Sequence, residues 1–218
     1  MSGMSVRRPK TRLKPPLDLE ALVRTAAFQL LFTRAEAIAP ETLAEASGLR
    51  LDRLAALLEE LDRAGRIRRD GAGQVVGSTG LSVIPDRHEI EVEGRRFWTW
   101  CAYDILGIFG ALRAGGRAFS PSPPDRSLIE VRFDRGRPRP SDAVLFRPDT
   151  ELIDCCQNVY EEWCPNSNLF ANRELAETWA AGHGVSGKVL SLDEAADLAL
   201  EAWQPLTEGL TSSELPPS

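Results

Sequence analysis

The chain has 218 residues, of which 43% are hydrophobic and 27% charged, with a formal net charge of −6. That length allows one large domain or two small ones with real cores, and an acidic body disfavours broad contact with phosphate backbones. No apolar run approaches the ~18 residues of a membrane span, and the basic N-terminus lacks the apolar stretch of a secretory signal, so a cytoplasmic protein with four reduced cysteines (Cys101, Cys155, Cys156, Cys164) and no membrane partner is expected.

Residues 1–17 carry Arg7, Arg8, Lys10, Arg12 and Lys14 without an acid and include Pro9, Pro15 and Pro16, the composition of a flexible basic arm. Leu19, Leu22, Val23, Ala26, Leu30 and Leu31 then recur at helical spacing. Pro40 in a first turn and Gly48 after Ala46 delimit a second helix. A third runs from about Leu51 to Ala64 with Leu54, Leu57, Leu58 and Leu61 on one face, stopped by Gly65. Ile67 to Val76 reads as a hairpin turning at Asp70-Gly71. Three helices followed by a hairpin predict a winged helix-turn-helix-like domain over residues 18–80. Such a module either binds DNA through its third helix or packs on a second domain and shields its site. Arg50, Asp52, Arg53, Glu59, Glu60, Asp62 and Arg63 mix signs on the outer face of that helix, which weighs against DNA.

Residues 81–210 predict an α+β domain with an antiparallel or mixed sheet. Its strands are expected at Leu81–Ile84, His88–Val92, Ser127–Phe133, Ala143–Phe146 and Val189–Leu190. A helix is expected over Trp98–Arg113, an irregular piece around Pro121, Pro123 and Pro124, helices over Asn172–Ala181 and Leu192–Trp203, and a frayed tail at 211–218. Residues 150–163 fit strand or helix equally.

The chemistry concentrates in Trp98-Thr99-Trp100-Cys101-Ala102-Tyr103-Asp104. A thiol and an acid three residues apart on a helix share a face, about 5–6 Å apart at Cβ, which fixes a soft ligand beside a proton carrier. Near a helix start, free N–H groups favour a thiolate at Cys101. Asp104 is a poor acid at its ordinary pKa of ~3.9 unless it is desolvated among neighbouring aromatics. The plain alternative is a cysteine packed in a core and an acid that caps the helix or faces water. There is no Cys-x-x-Cys spacing, and His88 and His183 are remote from every cysteine in sequence, which argues against a structural zinc site. Cys164 stands before Pro165 at the edge of a polar loop, a better place for chemistry than mid-helix.

Arg95 to Asp104 resembles the Trp-Cys-Ala-x-Asp signature of the alkylmercury (organomercurial) lyases. Trp163-Cys164-Pro165-Asn166-Ser167-Asn168-Leu169-Phe170-Ala171, followed by Ala176-Glu177-Thr178-Trp179, resembles that family's second cysteine block. The likeness covers about residues 18–205. It implies Cys101, Asp104 and Cys164 as the catalytic set, with the same residues holding mercury as substrate and product. It also implies protonolysis of R–Hg⁺ to R–H and Hg²⁺ with no organic or metal cofactor, and a winged-helix domain that covers the site with no nucleic-acid partner. Small thiols or a mercuric reductase would take the Hg²⁺, and Trp98 and Trp100 could wall the organic group. The sequence departs from the family pattern in having no thiol over Ala118–Pro123, in Pro165-Asn166-Ser167 after the second cysteine, and in the extra pair Cys155-Cys156. The readings that compete are a relative that binds mercury without turnover and a winged-helix regulator with a thiol-based metal or redox sensor. Linear coordination of mercury by two thiolates requires the Cys101 and Cys164 sulfurs within about 5 Å.

Overall fold

The computed structural model describes residues 19–203 and 205; the expected arm at 1–17 and tail at 211–218 lie outside the described residues. The first three helices are α1 (Leu19–Arg34), α2 (Pro40–Ser47) and α3 (Leu51–Arg63). Pro40 begins α2, and Gly48 closes it in the left-handed conformation at φ +68°, where a side chain would be strained. α3 buries Leu54, Leu58 and Leu61 along one stripe. The hairpin β1 (Ile67–Arg69) and β2 (Val75–Ser78) follows. Its turn is held by Asp70, whose Oδ1 accepts from the amides of Ala72 and Gln74, both at 2.9 Å.

That hairpin does not stand apart from the rest. With β3 (Leu81–Ser82), β4 (His88–Val92), β5 (Arg95–Thr99), β6 (Gly116–Pro121), β7 (Leu128–Asp134) and β8 (Arg137–Pro138) it forms one eight-stranded sheet in the order β1-β2-β3-β5-β4-β6-β7-β8. A second sheet of three strands has the order β10-β9-β11, from β9 (Val144–Pro148), β10 (Asn168–Phe170) and β11 (Gly187–Ser191). Every strand pair is antiparallel. The architecture is therefore α+β with antiparallel sheets.

Two segments differ from expectation. The helix expected from Trp98 starts only at Ala102, as α4 (Ala102–Leu112), and Trp98 and Thr99 belong to β5. The cause is the turn before it. Glu93 and Gly94 both take positive φ (48° and 75°), the geometry of a two-residue hairpin, and this folds Arg95–Thr99 back onto β4 with Phe97 opposite Ile90. The supposed irregular piece after α4 contains β6, which pairs with β4 on one side and β7 on the other; Pro121 is harmless there because it ends the strand.

Residues 150–163 divide into α5 (Thr150–Cys155) and a π-helical turn, Val159–Trp163, which runs into a 3₁₀ turn, Cys164–Asn166. α6 (Arg173–His183) and α7 (Leu192–Trp203) complete the fold. Asn172 caps α6 by accepting from the Leu175 amide at 3.0 Å. Trp179 on that helix packs on Phe146 and Phe170, with ring centroids 5.7 and 5.5 Å away. No helix of the described residues is long and apolar enough to cross a membrane.

α4 is the centre of the molecule. It is apolar nearly all round, and Ala102 through Phe109 are all buried. It touches α7 and strands of both sheets. Phe109 stacks on Phe133 of β7 at 3.9 Å between centroids and is fully enclosed. Phe109→Ala is expected to destabilise the fold by roughly 3–5 kcal/mol, read as a fall in urea midpoint with little change in the slope of the transition.

Candidate active site at the start of the buried helix

The first turn of α4 needs partners for its free N–H groups. Cys101 is the N-cap residue, with extended backbone (φ −146°, ψ 168°), and Asp104 is the third residue of the helix. The Cys101 amide donates to Asp104 Oδ2 at 2.9 Å, and the Asp104 amide donates back to the Cys101 sulfur. This is a capping box with sulfur in place of the usual hydroxyl. The alternative role for Asp104 as a cap thus holds together with its place beside the thiol: one carboxyl does both.

Cys164 arrives from the other end of the chain. Its Sγ, the Cys101 Sγ and an Asp104 carboxylate oxygen all lie within 4.8 Å of one another, and all three residues are buried. Among the described residues this is the one cluster of three potential metal-ligating groups. The two sulfurs meet the ~5 Å requirement for sharing one linear two-coordinate mercury. All four cysteines are unpaired; Cys155 is exposed and Cys156 half-buried, outside this cluster.

Burial decides the protonation states. It is the main cause that pushes Asp104 up from 3.8 to about 7, against the lowering effect of the hydrogen bonds from Cys101. Burial also raises Cys101 well above its ordinary value, helped by the neighbouring Cys164 thiol and the Asp104 charge. The thiolate expected from the helix start is therefore not the resting form. The Asp104 amide does favour the anion, but its effect is the smallest of those acting on Cys101. Cys101 therefore rests as a thiol beside a carboxyl that can hold or release its proton near neutrality.

A cavity of about 240 Å³ lies against Asp104 and Cys164; Cys101, wholly buried, does not line it. Its walls are aromatic: Trp100, Tyr103, Trp163 and Trp203. Trp98, expected to share this role with Trp100, is half-buried on β5 and takes no part in the lining. Arg24, Arg66 and Arg147 also border the cavity, the first two from the N-terminal segment. Trp203 is held over the site by its indole N–H, which donates to the Thr79 carbonyl at 3.2 Å.

Several residues of the site carried no sequence signal strong enough to single them out. Gly80 is one. At φ +87° it lies so close to Asp104 that a Cβ would overlap the carboxyl group. Its carbonyl accepts from the Trp100 amide at 3.1 Å. A glycine at the end of Gly77-Ser78-Thr79-Gly80 marks a turn in sequence, but not what lies above it. Asp86, Arg87 and Tyr160 form a second group behind the cysteines. The Asp86 side chain is enclosed and bonded to Arg68 and to the Tyr160 hydroxyl, and the guanidinium groups of Arg68 and Arg87 lie 4.3 and 4.2 Å from the Tyr160 ring centre. The Asp86-Arg87 pair reads in sequence as an ordinary loop. The one available hint is an acid–base dipeptide directly before an alternating strand.

The family model described as MerB, alkylmercury lyase, matches residues 81–204. The alkylmercury lyase of Bacillus cereus is 30% identical over 169 residues, which span 75% of this chain and 72% of that protein. That of Streptomyces lividans is 31% identical over 153 residues, 68% of this chain and 66% of its own. The crystal structure of the mercury-bound form of MerB2 has the same fold, with a TM-score of 0.75 at 23% identity over 88% of this chain and 93% of that one.

Because the folded pKa of Asp104 is raised above the unfolded value, its protonated form stabilises the fold fully below about pH 3.8, and that contribution is lost as pH rises through about 7. Asp104→Asn is expected to remove this dependence. Between pH 5 and pH 8 the parent should lose on the order of 2 kcal/mol relative to the variant, read as a Tm difference that opens by roughly 4–8 °C. Parallel pH profiles of Tm for the two proteins would contradict a buried, proton-holding Asp104. Gly80→Ala should cost stability through its strained φ, by about 1–2 kcal/mol, and should displace the carboxyl.

Proposed function

The chain belongs to the alkylmercury lyase family and is an enzyme of carbon–mercury bond cleavage, and we propose that Cys101, Cys164 and Asp104 carry out that cleavage as two mercury-binding thiols and one proton carrier. The observation that supports this most directly is the meeting of the three ligand atoms within 4.8 Å in a buried place. Mercury prefers sulfur to oxygen or nitrogen, and two sulfurs at this spacing can hold it on both sides.

An organomercury compound R–Hg–X enters the cavity, and one cysteine sulfur replaces X on mercury; the thiol proton leaves with X as H–X. The second sulfur then bonds to mercury and passes its proton to the Asp104 carboxylate. Added electron density from that sulfur weakens the carbon bond, and Asp104 delivers the proton to carbon as the bond breaks. The products are R–H, Hg²⁺ bridged between two thiolates, and Asp104 returned to its starting state. A carboxyl with a pKa of about 7 suits this relay, since it can both accept and release a proton near neutral pH. Small thiols or a mercuric reductase then remove the Hg²⁺ by thiol exchange. The aromatic walls at Trp100, Tyr103, Trp163 and Trp203 would hold the organic group.

Residues 18–80 act in this reading as a winged-helix-like cover joined to the catalytic part, residues 81–210, and not as a DNA reader. Two features support it. The end of α3 is bonded to the strand of chain that leads to Cys164, with the Val159 amide donating to Ala64 O and Asn158 Nδ2 to Arg63 O, both at 3.0 Å. Arg50 at the start of α3 is ion-paired with Asp52 at 3.1 Å, and Glu59 and Glu60 are exposed further along the helix, which leaves little net positive charge for phosphates. A reducing cytoplasmic location fits four unpaired cysteines.

The test is hydrocarbon release. Purified protein with excess small thiol should convert phenylmercury to benzene. Cys101→Ser and Cys164→Ser should each lower kcat by at least roughly 10³-fold, and Asp104→Asn by roughly 10²–10⁴-fold, the scale of a lost general acid. Serine variants as active as the parent would remove both sulfurs from the mechanism.

A further inference from the structure

The two sulfurs belong to segments that are remote in sequence, and something must set their spacing. The structure holds two ties between those segments. On one side the Ala102 amide, next to Cys101, donates to the Ser167 carbonyl in the turn after Cys164 at 3.0 Å. On the other side stands Arg87. Its Nη1 donates to the carbonyl of Trp100, the residue before Cys101, and its Nη2 to the carbonyl of Tyr160, one turn before Cys164, each at 3.1 Å. One guanidinium thus bridges both cysteine-bearing segments. It does not line the cavity.

Arg87 is itself fixed. Its plane lies over the Tyr160 ring at 4.2 Å, its Nη1 stands 3.8 Å from Asp86 Oδ1, and its own amide donates to that oxygen at 2.8 Å. Asp86 is held in turn by Arg68 and by the Tyr160 hydroxyl. The Trp100 and Tyr160 rings meet edge to face at 5.6 Å, so the bridged segments are also packed together. The segment before Cys164 is a π-helical turn with bonds between residues five apart, and the residue five after Tyr160 is Pro165, which has no N–H to offer its carbonyl. A planar fork of fixed donors can bond two carbonyls in different directions at once; a lysine ammonium has no such geometry.

We propose that Arg87, seated by Asp86, is a positioning residue that sets the Cys101–Cys164 sulfur spacing by clasping the Trp100 and Tyr160 carbonyls. The proposal rests on the reading of Cys101 and Cys164 as the mercury-binding pair. Its consequence is specific. Steps that need one sulfur survive the loss of the clasp, and steps that need both sulfurs at once do not. Loss of a fixed spacing removes the chelate gain for Hg²⁺ and slows the step in which the second sulfur must reach mercury.

The experiment compares the parent, Arg87→Met and Arg87→Lys. The readouts are kcat and KM for phenylmercury, and the concentration of dithiothreitol that strips half the bound Hg²⁺ from the protein. Arg87→Met should lose up to roughly 10²-fold in kcat with little change in KM. It should give up Hg²⁺ at a dithiothreitol concentration lower by roughly tenfold or more, while still unfolding in one cooperative transition. Arg87→Lys keeps the charge and reaches only one carbonyl, so it should fall between the two on both readouts. If Arg87→Met does not fold, Arg87→Lys alone decides. A folded variant that matches the parent in both kcat and Hg²⁺ retention overturns the clasp, and so does one that loses KM and kcat in parallel with stability and keeps its hold on Hg²⁺. If the parent itself releases no benzene, the cleavage role of Cys101, Cys164 and Asp104 fails, while the Hg²⁺ retention series still judges the clasp.

Discussion

The fold is arranged around a carboxyl taken out of water. Asp104 is buried at the first turn of an apolar helix, against Gly80, with two thiols as its neighbours. An ionised carboxylate in such a place costs several kcal/mol unless it is paired. Here it is partly compensated, by the Cys101 amide and by the distant charge of Arg87, and partly avoided, because the group keeps its proton up to about pH 7. The other features follow from that constraint. The helix must be enclosed on all sides to exclude water. The chain opposite Asp104 must be a glycine. The sulfur ligand must supply a cap that would otherwise be a hydroxyl.

Enclosure of α4 needs both sheets and α7, and this explains why the N-terminal hairpin is not an independent wing. β2 and β3 carry the large sheet directly from the first three helices to β5, and β5 leads straight into Trp100 and Cys101. The turn between β2 and β3 is the one that contains Thr79 and Gly80. The N-terminal segment therefore contributes to the site through the sheet as well as through the end of α3, and Arg24 and Arg66 border the cavity as a result.

Much of the fold was legible in sequence wherever a local rule carried it. Pro40 and Gly48 bracket α2, Leu54, Leu58 and Leu61 stripe α3, and Asp70-Gly71 turns the first hairpin. The three residues proposed to react were marked by two short motifs, and the structure places them together. What escaped has physical reasons. Trp98 to Leu112 is apolar except at Thr99 and Asp104, and a run of that kind does not reveal where strand gives way to helix; the answer lay in the positive φ of Glu93 and Gly94, outside the run. The local rule for a cysteine at a helix start favours the thiolate, yet burial, which depends on the whole fold, outweighs it at Cys101. Arg87 was invisible because its partners are backbone carbonyls, which leave no residue type to recognise.

Charge accounting ties the buried site to the proposed chemistry. At rest burial keeps Cys101 as a thiol and holds Asp104 at the edge of ionisation. An R–Hg–X substrate is neutral overall. When one sulfur replaces X, the thiol proton leaves with it, so the bound R–Hg–S species is neutral too. When the second sulfur binds, its proton crosses to carbon by way of Asp104, and the Hg²⁺ left behind is balanced by two thiolates. The mercury-bearing species on this path are uncharged, so the one charge in the cluster is that of the Asp104 carboxylate, which is neutralised while it relays the proton between atoms already in reach. A low-dielectric pocket penalises lasting charge and strengthens short-range transfers. Burial, which looks hostile to a site built from three ionisable groups, is thus compatible with a reaction that needs all three, provided their spacing does not change.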